Sequence, residues 1–148
     1  MKRIITLTCL LIACNAPQKD MSKQAAEEIM QADKDMSALA AKDGFHKALL
    51  AYAADDVVKP QNNELPVIGK ATLEKYWSDK PETKDLSWEP FKAEAARSGE
   101  LGYTLGNWKL VLKDTVLYGN YYTVWKKMPD GKWKFSVDGG NSTPAPEK

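Results

Sequence analysis

Acid–base chemistry needs a titratable side chain in a sheltered place, and three residues of this chain are candidates: Asp56, Asp138 and His46. Asp56 directly follows Asp55, and two adjacent carboxylates can share a proton or bind a cation. His46 titrates near neutral pH and could serve as a general base. The plainer interpretation makes Asp55 and Asp56 a surface turn and His46 a solvated residue at a helix start. We adopt the plainer interpretation for both, so the sequence assigns no catalytic residue.

Asp138 stands at the end of the last predicted strand, directly before two glycines. Successive side chains of a strand point to opposite faces of the sheet. Strict alternation separates the apolar residues Trp133, Phe135 and Val137 from the polar residues Lys132, Lys134, Ser136 and Asp138. The apolar set should face the core, which places Asp138 outside. Only a β-bulge would bring its carboxylate inside.

Aromatic residues are the stronger candidates for a binding pocket, because five tryptophans and six tyrosines supply much of the apolar area of this chain. The predicted ligand-binding set is Tyr52, Trp77, Trp88, Tyr103, Asn107, Tyr122 and Trp125. Alternation puts Tyr103 and Asn107 on one face of a strand, and it sets Tyr122 opposite Trp125. These residues therefore cannot all line one cavity. The alternative is an aromatic core together with a dimer face.

Three helices are predicted before a run of strands. Residues 23–42 place Ala25, Ile29, Ala32, Met36 and Leu39 at steps of three and four, which is the helical period. A short second helix starts at Phe45 and ends near Asp55, and a third covers residues 70–78. Short strands are predicted at residues 57–58 and 67–68. Longer strands follow at residues 86–97, 101–113, 116–128 and 132–138, the last two joined by the hairpin signal Asp130-Gly131.

This order predicts an α+β fold, in which three N-terminal helices pack on a curved antiparallel β-sheet. The glycines at positions 102 and 106 lie on one face of a predicted strand and suit a bend in the sheet. We see no internal repeat, and residues 22–140 are expected to form one domain.

Several local motifs, in this order, resemble the nuclear-transport-factor-2-like superfamily and its SnoaL-like domains of unknown function. The resemblance rests on residues 52–56 (YAADD), 67–70 (VIGK), 88–90 (WEP), 98–104 (SGELGYT), 122–127 (YTVWKK) and 130–134 (DGKWK). It implies a cone, in which the sheet wraps around the helices and leaves a cavity. The scaffold hosts isomerases, cyclases, dehydratases, binding proteins and adaptors, so the resemblance is informative about fold and says little about function.

The resemblance also argues against one kind of chemistry. Ketosteroid isomerases of this superfamily carry an aspartate just before a proline in the first strand after the second helix. Here Lys59 precedes Pro60, and a lysine cannot serve as that carboxylate base. The first predicted helix also has no tyrosine to act as an oxyanion donor.

The chain starts with Met1-Lys2-Arg3, ten mostly apolar residues and Cys14, which is the layout of a secretory signal peptide. Residues 11–14 (LIAC) resemble a bacterial lipobox, in which cleavage precedes a cysteine that then carries lipid. We therefore predict a signal peptide at residues 1–13, a lipidated tether at 14–21 and a disordered tail at 141–148. The alternatives are half of a transmembrane helix, which polar residues from Asn15 onward oppose, and an ordinary cleaved signal.

Composition limits the partners. The 21 basic and 20 acidic residues nearly balance, which argues against nucleic acid. One histidine and two cysteines offer no cluster for a metal, and no cofactor is predicted. The expected protein is an exported, lipid-anchored domain of the bacterial cell envelope that binds a small, partly apolar molecule. The alternatives are a homodimeric interaction module and an isomerase- or dehydratase-like enzyme with a pocket carboxylate.

Overall fold

The computed structural model describes residues 19–147, which contain three helices and six strands. The helices are α1 (Ser22–Asp43), α2 (Phe45–Tyr52) and α3 (Lys70–Trp77). The strands are β1 (Ala53–Gln61), β2 (Glu64–Ile68), β3 (Leu86–Ala95), β4 (Leu101–Val111), β5 (Val116–Lys127) and β6 (Trp133–Thr143). The predicted α+β architecture is confirmed.

The strands form one curved, unclosed sheet in the order β2-β1-β6-β5-β4-β3. The pairings from β3 through β6 are antiparallel, as predicted, and so is the pairing of β1 with β2. β1 and β6 run parallel, which makes the sheet mixed. β6 is therefore a central strand, and the residues near its carboxyl end lie between β1 and β5.

The long first helix follows the predicted apolar stripe. Ala25, Ile29, Met36 and Ala40 are all buried, and α1 packs against β3 and β4. Gly44 ends the helix with φ of 110°, a left-handed backbone conformation that favours glycine. The helices cover the face of the sheet that we call the concave face, and the opposite, convex face has no element packed on it in the described residues.

The core lies between the helices and the concave face. Trp125 and Phe135 of the sheet are fully buried there, and Tyr52 of α2 meets Trp125 edge to face with ring centroids 6.2 Å apart. Trp77 of α3 belongs to the same cluster. On β4 and β5, the residues that reach this core alternate with residues on the convex face, as the strand period requires.

Several predicted boundaries differ from those in the structure, among them the ends of α2 and β6. The second helix ends at Tyr52, because pairing with β6 starts at Ala53, opposite Phe135, and the chain is extended from that point. Strand β6 runs to Thr143, which pairs with Tyr118 of β5, so residues 141–143 belong to the sheet. The prediction of a disordered tail is therefore wrong for residues 141–143, and for the residues after them it stays a prediction.

The predicted signal peptide and Cys14 lie outside the described residues, so lipid attachment stays a prediction. Within residues 19–147, no helix combines the length and the apolar character that crossing a membrane would require.

Candidate functional site

A cavity of about 290 Å³ opens at one end of the cone, between α1, α2 and the concave face of the sheet. Its walls are mainly apolar. The apolar lining residues are Met36, Phe45, Leu49, Leu86, Trp88, Trp108 and Leu110. Exposed polar residues at the β1–β2 turn and at the end of β6 form its mouth, among them Asn62 and Ser142.

An ion pair interrupts the apolar wall. Lys59 Nζ of β1 lies 2.7 Å from Asp138 Oδ2 of β6, and the two side chains are only 15% and 13% exposed. The hydroxyl of Thr123 donates to the other carboxylate oxygen, Oδ1, at 2.8 Å. Both oxygens of Asp138 therefore have a partner, and the pair carries no net charge.

A β-bulge brings Asp138 to the cavity and corrects the prediction that it lies outside. Val137 pairs with Val124, but Phe135 pairs with Trp125, which leaves Ser136 as an extra residue in β6. The extra residue shifts the alternation by one position. Phe135 and Asp138 therefore both reach the concave face, although they are three residues apart.

A buried aspartate beneath the cavity was missed in the sequence. Asp33 of α1 is fully buried. Trp88 Nε1 donates to its Oδ1 at 2.8 Å, and the hydroxyl of Tyr121 donates to its Oδ2 at 3.1 Å. Both donors belong to residues that line the cavity, so Asp33 fixes two of its walls. The signal was available, because Asp33 lies four residues after Ile29 and three before Met36, on the apolar stripe.

The environment of Asp33 perturbs its titration. Burial raises the pKa of Asp33, and hydrogen bonds from Thr104, Trp88 and Tyr121 oppose that rise. Burial also raises the pKa of Tyr121, and the nearby carboxyl group of Asp33 raises it further, so the Tyr121 hydroxyl keeps its proton. The ring of Tyr121 fits because β4 carries glycine at position 106, where a Cβ would collide with it.

Solved structures share this architecture at low sequence identity. A ketosteroid isomerase-like protein from Erwinia carotovora atroseptica SCRI1043 has a TM-score of 0.67 and 15% identity, covering 83% of this chain and 98% of that chain. An NTF2-like protein of unknown function from Pseudomonas putida KT2440 has a TM-score of 0.64 and 19% identity, covering 80% and 87%. This chain has the nuclear-transport-factor-2-like (NTF2-like) fold. No family description and no curated protein matches its sequence.

In the NTF2-like cone, the predicted ligand-binding residues lie in three different regions. Trp88 lines the cavity. Tyr52, Trp77 and Trp125 pack in the core behind it. Tyr103, Asn107 and Tyr122 lie on the convex face, because they alternate with inward residues of β4 and β5. Of the predicted ligand-binding residues, only Trp88 lines the cavity in the described structure, and the prediction is wrong for the others. Tyr121, the neighbour of Tyr122, lines the cavity instead.

The convex-face residues make polar contacts of their own. The hydroxyl of Tyr103 donates to Glu94, and Asn120 Nδ2 donates to Asn107 Oδ1 at 2.6 Å. Tyr122 is 41% exposed on the same surface. A homodimer through this face stays a prediction.

The other two acid–base candidates lie outside the NTF2-like cavity. Asp56 is exposed on β1 and pairs with Lys126, which lowers the pKa of its carboxyl group. His46 stacks on Trp77 with ring centroids 4.7 Å apart. Burial lowers the pKa of His46, which favours the neutral ring. Among residues 19–147, no group of three or more His, Cys, Asp or Glu side chains could hold a metal ion.

Proposed function

We propose that this protein is an exported, lipid-anchored domain that binds a small, partly apolar molecule in the cavity of its NTF2-like cone. The observation that carries the proposal is an open cavity with apolar and aromatic walls and one polar pair, Lys59 with Asp138. Ligand sites are concave, mostly apolar and carry a few placed polar groups. Export and anchoring rest on residues 1–14 and on nothing in the cavity.

Mass spectrometry of the full chain, expressed in a bacterial host and extracted from membranes, tests both parts of this proposal. The denatured mass is expected to equal the chain from Cys14 onward plus a lipid. The native mass is expected to exceed it by a retained small molecule. An uncleaved or unlipidated chain would contradict anchoring, and equal native and denatured masses would contradict retention.

A pair of variants locates the bound molecule. Leu110→Trp is expected to lower occupancy at least tenfold, because Leu110 lines the cavity and the larger ring fills it. Leu112→Trp is the matched control, since Leu112 is exposed in the adjoining turn and does not line the cavity. Equal occupancy in both variants would place the molecule elsewhere.

Catalysis by Asp138 is a second candidate, favoured by the bulge that turns this carboxylate into the cavity. A carboxylate there could take a proton from the carbon beside a carbonyl group, so that the C–H electron pair forms a carbon–carbon double bond and the carbonyl π pair moves onto the oxygen. The protonated Asp138 would then lose its proton to solvent. The reaction would return a proton from solvent to the carbon.

Deuterium exchange tests this candidate without knowledge of the substrate. 2-Acetylnaphthalene in D₂O is expected to exchange its methyl hydrogens at least a hundredfold faster with the protein than in buffer. Asp138→Asn is expected to abolish the excess, while Asp56→Asn, altered at an exposed site outside the cavity, keeps it. Exchange at the buffer rate would refute proton abstraction and leave the binding proposal intact.

A further inference from the structure

Most of the buried and half-buried polar groups of the cavity wall are hydrogen-bonded or ion-paired within the described residues. Trp88 Nε1 and the Tyr121 hydroxyl donate to Asp33, and Trp108 Nε1 donates to the carbonyl oxygen of Asn120 at 3.2 Å. Lys59 is paired with Asp138, which also receives the Thr123 hydroxyl. These groups shape the cavity, and none of them offers a free charge to a ligand.

Gln61 differs from these paired groups. This residue lines the cavity two positions after Lys59, and its side-chain nitrogen Nε2 is buried and has no hydrogen-bond partner among residues 19–147. Buried polar groups in folded proteins are nearly always hydrogen-bonded, so an unpartnered one needs an explanation. The terminal torsion of glutamine is broad, so the amide can turn towards an acceptor in the cavity at small cost.

We propose that Gln61 donates to an uncharged oxygen of the ligand, so that the cavity selects neutral carbonyl compounds over carboxylates and over hydrocarbons. This inference rests on the proposed binding function. A carboxylate would bring an unpaired charge beside a pair that is already neutral, and burying an unpaired charge is costly. A hydrocarbon would leave the Gln61 donor without a partner.

Three probes of nearly equal shape test the selection: 2-acetylnaphthalene, 2-naphthoate and 2-ethylnaphthalene. Equilibrium dialysis against the full chain is expected to rank the ketone first, about tenfold above the hydrocarbon, as one added hydrogen bond implies. Gln61→Leu is expected to remove that advantage, without weakening 2-ethylnaphthalene and without lowering the thermal midpoint of the ligand-free protein. Gln31→Leu is the control, since the Gln31 amide donates a hydrogen bond to Asp35 on the exposed surface of α1, outside the cavity.

The outcomes separate this inference from the proposed function. Binding of 2-ethylnaphthalene without any advantage for the ketone would overturn the role of Gln61 and leave the cavity as a binding site. Tightest binding of 2-naphthoate would overturn the selection of neutral compounds. Equal weakening of all probes by Gln61→Leu would show a structural role only. Failure of every probe to bind would overturn the binding function, and the inference with it.

Discussion

Asp33→Ala is expected to lower the free energy of unfolding by about 3 kcal/mol, because it removes the acceptor of several buried donors, among them Trp88 and Tyr121. Trp88 Nε1 and the Tyr121 hydroxyl both donate hydrogen bonds to this buried carboxyl group. A buried donor that loses its partner costs about 1–3 kcal/mol. The same change frees two walls of the cavity, so ligand occupancy should fall with stability. Urea unfolding at pH 7 measures the first effect, and native mass spectrometry measures the second.

The neighbouring aspartate gives a matched control. Asp35 lies on the same helix, is exposed and accepts only from the Gln31 amide in the described structure. Asp35→Ala is expected to leave the unfolding curve nearly unchanged. Asp33→Asn keeps one acceptor oxygen and should lose about half as much stability as Asp33→Ala. Equal effects of the two alanine substitutions would show that the network around Asp33 does not hold the fold.

The same residue gives the wild-type protein a pH dependence of known sign. Burial raises the pKa of Asp33 in the folded state above its ordinary value of 3.8. The folded state therefore binds a proton more readily than the unfolded state, and ionisation of Asp33 destabilises the fold above the raised pKa. As the pH falls from 7 towards 3.8, the wild type should gain stability relative to Asp33→Ala. A constant difference across this range would contradict a buried, titrating Asp33.

The fold could be predicted because its patterns are local. The apolar stripe from Ala25 to Leu39 predicted the first helix, and the turn signal Asp130-Gly131 predicted the last hairpin. The cavity could not be predicted in the same way, because its polar residues break the local rule. Asp33 occupies a position of the apolar stripe, and only its distant partners Trp88 and Tyr121 make it tolerable there.

Alternation along a strand separates two faces but does not say which face is concave. Which face is concave depends on where the helices pack. Because they pack on the face that carries Tyr121, this residue lines the cavity and the predicted Tyr122 does not. For the same reason, Tyr103 and Asn107 lie on the convex face. The bulge at Ser136 is a second departure from local rules, since one extra residue reversed the expected side of Asp138.

Lys59→Met is expected to destabilise the protein by about 2–3 kcal/mol, because it leaves the Asp138 carboxylate uncompensated in a mostly apolar cavity. Breaking one side of a fully buried ion pair costs about 3–5 kcal/mol. The lower figure reflects side chains that are still 15% and 13% exposed. Removing both charges should restore most of the loss. The double variant Lys59→Met/Asp138→Asn keeps an acceptor for the Thr123 hydroxyl. Its free energy of unfolding should lie within about 1 kcal/mol of that of the wild type.

An exposed pair on the same sheet is the comparison. Lys92 Nζ lies 2.9 Å from Glu94 Oε1, but these side chains are 47% and 57% exposed. Solvent screens such a pair, so Lys92→Met should cause no measurable loss of stability. If the double variant does not recover the stability lost in Lys59→Met, the aliphatic part of the lysine side chain stabilises the cavity wall by packing, and its charge contributes little. Recovery in the double variant would show that each of the two charges is needed mainly to compensate the other.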